Sequence, residues 1–139
     1  MGKVPKIIDV ARLVVLTREN QVLLVMPRLK QQWHCPGGIV KTSETTREAA
    51  LREAWEETGL RLTLIRQCVL SLTDTRNSKQ HERISFYLAR PTKLVAYAKP
   101  DRREIEKLGF FTLAEMQGMN LTDTTREAIH RIEFIGLFV

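Results

Sequence analysis

The segment Thr42–Thr58 is the part of this chain that most constrains the fold. Thr42 or Ser43 can cap the first turn of a helix, and Gly59 can end that helix in a left-handed conformation. The sequence therefore predicts a helix over Thr42–Thr58, preceded by a loop over Gln31–Gly38.

Short β-prone segments lie on both sides of this helix. Val10–Thr17 and Gln21–Met26 are rich in valine and leucine, and they are predicted to pair as a β-hairpin. The rest of the chain predicts three more strands and a second helix, at Leu60–Leu72, Glu82–Arg90, Leu108–Thr112 and Thr122–Ile135, with a variable stretch at Pro91–Arg103. Strands mixed with two helices predict an α+β fold. Because no repeat or linker interrupts the pattern, we expect one domain over residues 1–139.

The composition argues against several classes of protein. The longest apolar run is Val22–Met26, whereas a membrane-spanning helix needs about 20 apolar residues. The N-terminus lacks the apolar centre of a signal peptide, so a cytoplasmic protein without membrane contact is expected. Two cysteines are too few for a disulfide scaffold. The net charge of +6 favours phosphate-bearing partners or nucleic acid, or serves solubility alone, and charge does not separate these interpretations.

Three glutamates share one face of the predicted Thr42–Thr58 helix. At about 100° per residue, Glu53, Glu56 and Glu57 fall within an arc of about 100°. The broadly opposite face is expected to pack into the core, and it carries Ala50, Leu51, Ala54 and Trp55. The acidic face is either a solvated surface with ion pairs such as Arg52–Glu56 or a site for a hard cation, because Mg²⁺ and Mn²⁺ prefer oxygen ligands.

The loop before the helix favours the cation site. Pro36-Gly37-Gly38 allows a tight turn and brings bare backbone close to the helix start. A carbonyl there can serve as a further metal ligand, and amides there can meet phosphate oxygens. A glycine turn, an acidic helix face and a basic chain fit metal-assisted phosphoryl chemistry. The sequence has no P-loop, no zinc-type spacing of Cys and His, and no nucleophile elbow.

At this point the residues resemble a known family. Gly38, five residues, Glu44, seven residues and then the run Arg52-Glu53-Ala54-Trp55-Glu56-Glu57-Thr58-Gly59-Leu60 look like a complete Nudix box over Gly38–Leu60. Every charged and glycine position of that signature is filled, and Ala54 replaces its usual larger aliphatic residue. A pattern with this many fixed positions is highly specific.

The resemblance implies a Nudix-type α/β/α sandwich around a mixed sheet. It also implies hydrolysis of a nucleoside diphosphate linked to a group X, with Mg²⁺ or Mn²⁺ as cofactor. Glu53, Glu56 and Glu57 would then be metal ligands, and Gly37 would add its carbonyl. The supporting positions would be Arg52, which orients the carboxylates, and Glu44 and Gly38. Glu53 and Glu104 are both candidates for the general base.

Residues outside the box bear on the substrate. The subfamily markers of ADP-ribose, dinucleoside polyphosphate, coenzyme A and NADH hydrolases are missing, which leaves small MutT-like (d)NTP pyrophosphohydrolases, including those that remove oxidised nucleotides. Several side chains suit a triphosphate or a base, although for any single basic residue a solvated charged loop is the favoured interpretation; they are Arg28, Lys30, Trp33, Arg76 and Arg83.

Three alternatives remain open. The leading one is a (d)NTP pyrophosphohydrolase. The second is an enzyme acting on RNA 5′ ends, which the basic charge favours. The third is a non-catalytic module that binds nucleotides, although the four retained box glutamates argue for an enzyme. The sequence leaves the oligomeric state open between monomer and homodimer.

Overall fold

The computed structural model describes residues 4–92, 99–100 and 103–136. The strands and helices of this part of the chain follow one another in the order β1 (Lys6–Val15), β2 (Val22–Pro27), β3 (Gly37–Ile39), α1 (Thr46–Thr58), β4 (Leu62–Asp74), β5 (Gln80–Pro91), β6 (Ile105–Phe111), α2 (Leu113–Gln117) and α3 (Asp123–Phe134). In this part of the chain, no helix is long and apolar enough to cross a membrane.

The strands form a mixed four-stranded sheet in the order β3-β1-β5-β4 and a second sheet made of β2 and β6. β1 pairs in parallel with β5, whereas the other pairs are antiparallel. β1 is therefore a central strand. Its residue Arg12 lies opposite Gly37 on one side and Phe86 on the other.

The two faces of β1 pack into two different cores. Val10 and Val14 belong to a cluster that includes residues of α3, and Leu13 and Val15 belong to a cluster that includes the alanines of α1. Alternate residues of a strand point to opposite faces, so α1 and α3 cover opposite sides of the sheet. The expected α+β fold, with helices on both faces of a mixed sheet, is confirmed.

The predicted hairpin is limited to its turn, and the extended pairing expected of it is wrong. β1 pairs with β3 and β5, and β2 pairs with β6, whereas the two segments meet at the antiparallel bridge between Leu16 and Val22 and at the hydrogen bonds between Thr17 and Gln21. Both faces of β1 are buried, and each needs neighbours supplied by distant parts of the chain. Apolar runs indicate strands but do not state which strand is the partner.

The first helix begins later than expected. Thr45, not Thr42 or Ser43, is its cap, and a reciprocal pair of hydrogen bonds joins Thr45 and Glu48. The residues before it form a separate turn, in which the Lys41 amide donates to the Glu44 carboxylate at 2.9 Å. The helix ends as expected at Gly59, whose φ of 72° is left-handed.

The buried face of α1 also differs from the prediction. Ala50 and Ala54 pack against the sheet as expected, but Trp55 is 51% exposed and Glu57 is only 5% exposed. The alanines let the helix lie close to the sheet, and its last turn places Glu57 against the backbone of β3. The acidic face therefore has one buried member.

The later elements agree with the predicted types, and β4, β5, β6 and α3 lie within a few residues of their predicted bounds. Thr122 caps α3. The short elements β3 and α2 were not predicted. Most of the variable stretch Pro91–Arg103 lies outside the described residues.

The cap of α1 gives a stability prediction. Thr45→Ala removes the side-chain acceptor of the Glu48 amide and should lower the free energy of unfolding by about 1 kcal/mol. Thr42→Ala, at the exposed position that the sequence proposed as cap, is the matched control and should change it by less than about 0.5 kcal/mol. Urea unfolding of both variants measures this, and equal losses would contradict the assignment of the cap.

Candidate active site

Arg52 holds three glutamates together on one side of α1. Its Nε and Nη2 donate to the two carboxylate oxygens of Glu44 at 2.6 and 2.8 Å. Its Nη1 donates to Glu53 at 2.9 Å and lies 3.2 Å from Glu56. Nη2 also reaches the carbonyl of Ile39 at 3.3 Å. One guanidinium therefore offsets the repulsion between carboxylates and joins the loop before α1 to the helix.

These contacts stabilise the ionised forms of Arg52 and Glu44. Hydrogen bonds from Arg52 and from the Lys41 amide lower the pKa of Glu44 to about 2. The same contacts raise the pKa of Arg52 above its ordinary value, chiefly through the hydrogen bond to Glu44. Both groups are thus ionised at neutral pH, as a bidentate pair requires.

Glu57 differs from its neighbours because it is buried. Its Oε1 accepts a hydrogen bond from the Gly37 amide at 2.9 Å. Burial raises the pKa of Glu57 to about 8, and the negative charges of Glu53 and Glu104 act in the same direction. The Gly37 amide and the charge of Arg12 only partly oppose this. A carboxylate in these surroundings favours a positive charge nearby.

The two glycines of the loop make room for these carboxylates. A Cβ on Gly38 would lie 2.6 Å from the carboxyl carbon of Glu53. A Cβ on Gly37 would lie 2.2 Å from the Ala11 carbonyl oxygen, so β3 could not pair as closely with β1. The glycines that the sequence singled out therefore allow backbone and carboxylate to approach each other.

Glu104 comes from a distant part of the chain. It immediately precedes β6, and its carbonyl accepts a hydrogen bond from the Arg28 amide at 2.8 Å. Its charge contributes to the raised pKa of Glu57. The structure thus brings Glu104 towards the carboxylates of the box, and its role as a base stays a prediction.

The donor chemistry around α1 fits a hard divalent cation. Carboxylates converge within the last two turns of the helix, and the negative charges of Glu53 and Glu104 act on the buried Glu57. Within the described ranges, no three Asp, Glu, His or Cys side chains are already arranged as a metal site. Glu53 and Glu56 contact Arg52 instead. Metal binding would therefore require Glu53 and Glu56 to replace contacts with Arg52 by contacts with the cation.

A cavity of about 180 Å³ lies on the α3 side of the sheet. Its polar lining includes Arg12, Lys30, His34, Asp74 and Arg76. Arg12 connects it to the carboxylates, because Arg12 pairs with Gly37 in the sheet and its charge acts on both His34 and Glu57. Sequence reasoning missed Arg12 and His34, because neither belongs to a motif.

The structure brings only some of the predicted substrate residues to the cavity. Lys30 and Arg76 line the cavity, and Arg76 is ion-paired with Asp74 at 2.6 Å and with Asp123 at 3.2 Å. Arg83 pairs with Asp9 at 2.6 Å, on the strand face opposite to Glu82 and Ile84 of the cavity. The structure does not bring Arg83 to the other candidates.

Two further candidates are not among the residues that line the cavity. Trp33 packs edge-on against Phe111 with ring centroids 5.0 Å apart, which places it in the core. Arg28 follows β2, and its amide contacts Glu104. Their contact with substrate stays a prediction.

The comparison with known families agrees with this geometry. The family model described as NUDIX domain matches residues 8–132, which is most of the chain. The chain belongs to this family. Its members generally use a divalent metal such as Mg²⁺ or Mn²⁺. The expected Nudix fold and hydrolase class are thereby confirmed.

Named relatives and solved structures agree as well. The chain is 33% identical over 88 residues to the 8-oxo-dGTP diphosphatase of Proteus vulgaris, which covers 60% of this chain and 76% of that protein. It is 42% identical over 62 residues to the m7GpppN-mRNA hydrolase NUDT17 of Xenopus laevis, which covers 45% of this chain and only 20% of that protein. A MutT NUDIX hydrolase structure from Burkholderia pseudomallei has a TM-score of 0.77 at 24% identity, with 91% and 98% of the two chains covered.

His34 gives a prediction for stability against pH. Burial and the nearby charge of Arg12 lower the pKa of His34 to about 3, whereas an unfolded histidine titrates near 6.5. Below about pH 6.5 the unfolded chain therefore binds more protons, and the free energy of unfolding should fall as pH is lowered.

His34→Phe removes this contribution. Between pH 7 and pH 5, the wild-type protein should lose roughly 1–2 kcal/mol relative to the variant in urea unfolding. Glu57 titrates in the opposite sense but is present in both proteins, so it cancels from the difference. Parallel stability curves would show that His34 protonates freely in the folded protein.

Proposed function

We propose that this chain is a metal-dependent hydrolase that cleaves a pyrophosphate bond in a nucleoside diphosphate linked to X, with (d)NTPs as its substrates. The observation that supports this most is the buried carboxylate of Glu57, fixed by the Gly37 amide beside the carboxylates that Arg52 holds. A purely structural helix gains nothing from a buried acid whose pKa is raised.

Glu53, Glu56 and Glu57, with the Gly37 carbonyl, would hold Mg²⁺ or Mn²⁺, which supplies neutralisation of the charge on the pyrophosphate. Arg52 keeps the carboxylates in place before substrate arrives. Gly38 leaves space for the Glu53 carboxylate. Glu44 anchors Arg52 from the preceding turn.

The chemical step needs one proton acceptor. The carboxylate of Glu53 or Glu104 takes a proton from water as the water oxygen forms a bond to phosphorus. The bond from that phosphorus to the bridging oxygen breaks, and its electron pair leaves with the departing phosphate group. From a nucleoside triphosphate, the products are a nucleoside monophosphate and pyrophosphate.

The substrate class rests on the relatives. The Proteus vulgaris protein, matched over 76% of its own length, is named an 8-oxo-dGTP diphosphatase, which supports (d)NTPs and oxidised forms of them. The Xenopus laevis protein is named an mRNA hydrolase, and with the net charge of +6 it supports RNA 5′ ends as the second candidate.

A substrate panel tests these proposals. Canonical and oxidised (d)NTPs, nucleoside diphosphate sugars, dinucleoside polyphosphates and 5′-triphosphate RNA would be offered with Mg²⁺, with Mn²⁺ and with chelator. We expect metal-dependent release of pyrophosphate from (d)NTPs. Turnover of RNA alone, suppressed by salt, would replace the first candidate by the second. Binding without turnover under every condition would contradict an enzyme.

Variants of the carboxylates test the site. Glu53→Gln and Glu57→Gln each remove a charge while keeping the shape of the side chain. In Glu57→Gln, the oxygen of the new side-chain amide can still accept the hydrogen bond from the Gly37 backbone. We expect each variant to reduce kcat by roughly a hundredfold or more at saturating Mg²⁺, with folded far-UV spectra.

The matched control is Glu133→Gln near the end of α3, on the opposite side of the sheet. It should retain wild-type activity. Full activity of both Glu53→Gln and Glu57→Gln would overturn the proposed site.

A further inference from the structure

His34 lies in a compact group of polar atoms at the cavity. Its Nδ1 is 2.7 Å from the carbonyl oxygen of Cys35. Nη1 of Arg12 lies 3.1 Å from the same oxygen and 3.0 Å from Nδ1. These three atoms form a triangle in which only certain proton placements are attractive.

The triangle determines which ring nitrogen carries the proton. If Nδ1 had no proton, two acceptors, Nδ1 and the Cys35 oxygen, would face each other at 2.7 Å. With the proton on Nδ1, His34 and Arg12 both donate to the carbonyl, which has two lone pairs. The shorter contact, to the carbonyl, therefore favours the Nδ1–H tautomer, in which Nη1 and Nδ1 are two donors 3.0 Å apart that share one acceptor. Burial and the charges of Arg12 and Lys30 disfavour a second proton on the ring.

The other ring nitrogen, Nε2, is then a hydrogen-bond acceptor. Within the described part of the chain, the side-chain contacts of His34 run through Nδ1. Among the same residues, no fully buried side-chain nitrogen or oxygen lacks a partner, so Nε2 is partly accessible although the ring as a whole is only half exposed or less. His34 lines the cavity, and the accessible acceptor therefore belongs to its wall.

The cavity suits an aromatic ring with donor groups. An apolar cavity of roughly 150 Å³ holds one benzene ring, so about 180 Å³ is sufficient for one base ring. Asp74 and Glu82 line the cavity as well, and carboxylates repel a phosphate. Arg12 lines this cavity and pairs with Gly37, whose amide binds Glu57, so a nucleotide with its phosphates at the carboxylates can direct its base here.

We propose that Nε2 of His34 accepts a hydrogen bond from an exocyclic amino group of the nucleobase and thereby determines which bases the enzyme prefers. Arg12 is a positioning residue, because it fixes the His34 tautomer without touching the base. The proposal rests on the function proposed above, and it concerns one residue outside the Nudix box.

The tautomer is tested without substrate. In nitrogen-15 NMR spectra of the metal-free protein, one of the three histidines should show a protonated Nδ1 and an unprotonated Nε2 that persist to pH 5. Its signals should be missing from His34→Phe and present in His130→Phe. A protonated Nε2 on His34 at neutral pH would overturn the proposal.

Base preference is tested with three matched pairs that differ by one amino group. ATP is compared with purine riboside triphosphate, GTP with ITP, and CTP with its 4-deamino analogue. The wild-type protein should prefer the amino form of at least one pair by roughly three- to tenfold in kcat/KM. His34→Phe should lose this preference, His34→Gln should retain more of it through its amide oxygen, and His130→Phe should keep it in full.

Binding of the corresponding nucleoside monophosphates, measured by titration in the presence of a chelator, separates this proposal from the hydrolase proposal. Loss of preference in His34→Phe binding supports the role of His34 even if no variant hydrolyses nucleotides. Hydrolysis with a preference equal in wild type and His34→Phe overturns the role of His34 and leaves the hydrolase standing. Neither binding nor hydrolysis of any nucleotide overturns both.

Discussion

The hydrogen bond from the Gly37 amide to Glu57 joins the two parts of the molecule on which the site depends. Gly37 begins β3 at the edge of the main sheet, and Glu57 lies in the last turn of α1. The contact ties the last turn of α1 to the edge strand β3. It requires a buried carboxylate and a glycine at position 37, because a Cβ on Gly37 would meet the backbone of β1 at 2.2 Å. The pairing of β3 with β1 and the position of the Glu57 carboxylate therefore both depend on the glycine at position 37.

Arg52 extends this constraint to the rest of the acidic face. Carboxylates on one helix face repel each other and destabilise the helix. A single guanidinium offsets this by binding Glu44 in bidentate fashion and by contacting Glu53 and Glu56 with its remaining donor. The carboxylates are thus held near one another before any cation binds, which lowers the reorganisation that binding requires. In the proposed function, the ion pairs and the cation site would be two states of the same side chains, rather than rival interpretations of the sequence.

The sequence predicted the parts of the fold that depend on local pattern. The types of most elements and the Gly59 end of α1 follow from spacing and caps. The pairing of β1 with β5 and the burial of Glu57 did not follow, because each depends on a tertiary neighbour. The cap at Thr45 is local, because Thr45 and Glu48 form a capping box, but the prediction placed it earlier in the chain. Trp55 shows the same limit: helical periodicity placed it on an apolar face, but alanines fill the space against the sheet. The box residues were found from a motif, whereas Arg12 and His34 are recognised only once β1, β3 and the intervening loop are assembled.

The ion pairs also change how the net positive charge of the chain is interpreted. Arg76 and Arg83 each contact an aspartate, and a paired guanidinium contributes little to the long-range field. Basic residues near a predicted site are therefore not all available to phosphate. Arg12 differs, because among the described residues its side chain contacts the Cys35 carbonyl and His34 instead of a carboxylate. It acts on both the acid that would face the phosphates and the histidine that would face the base. The charge that acts on both His34 and Glu57 thus belongs to Arg12 on the central strand β1, which lies outside any recognised motif.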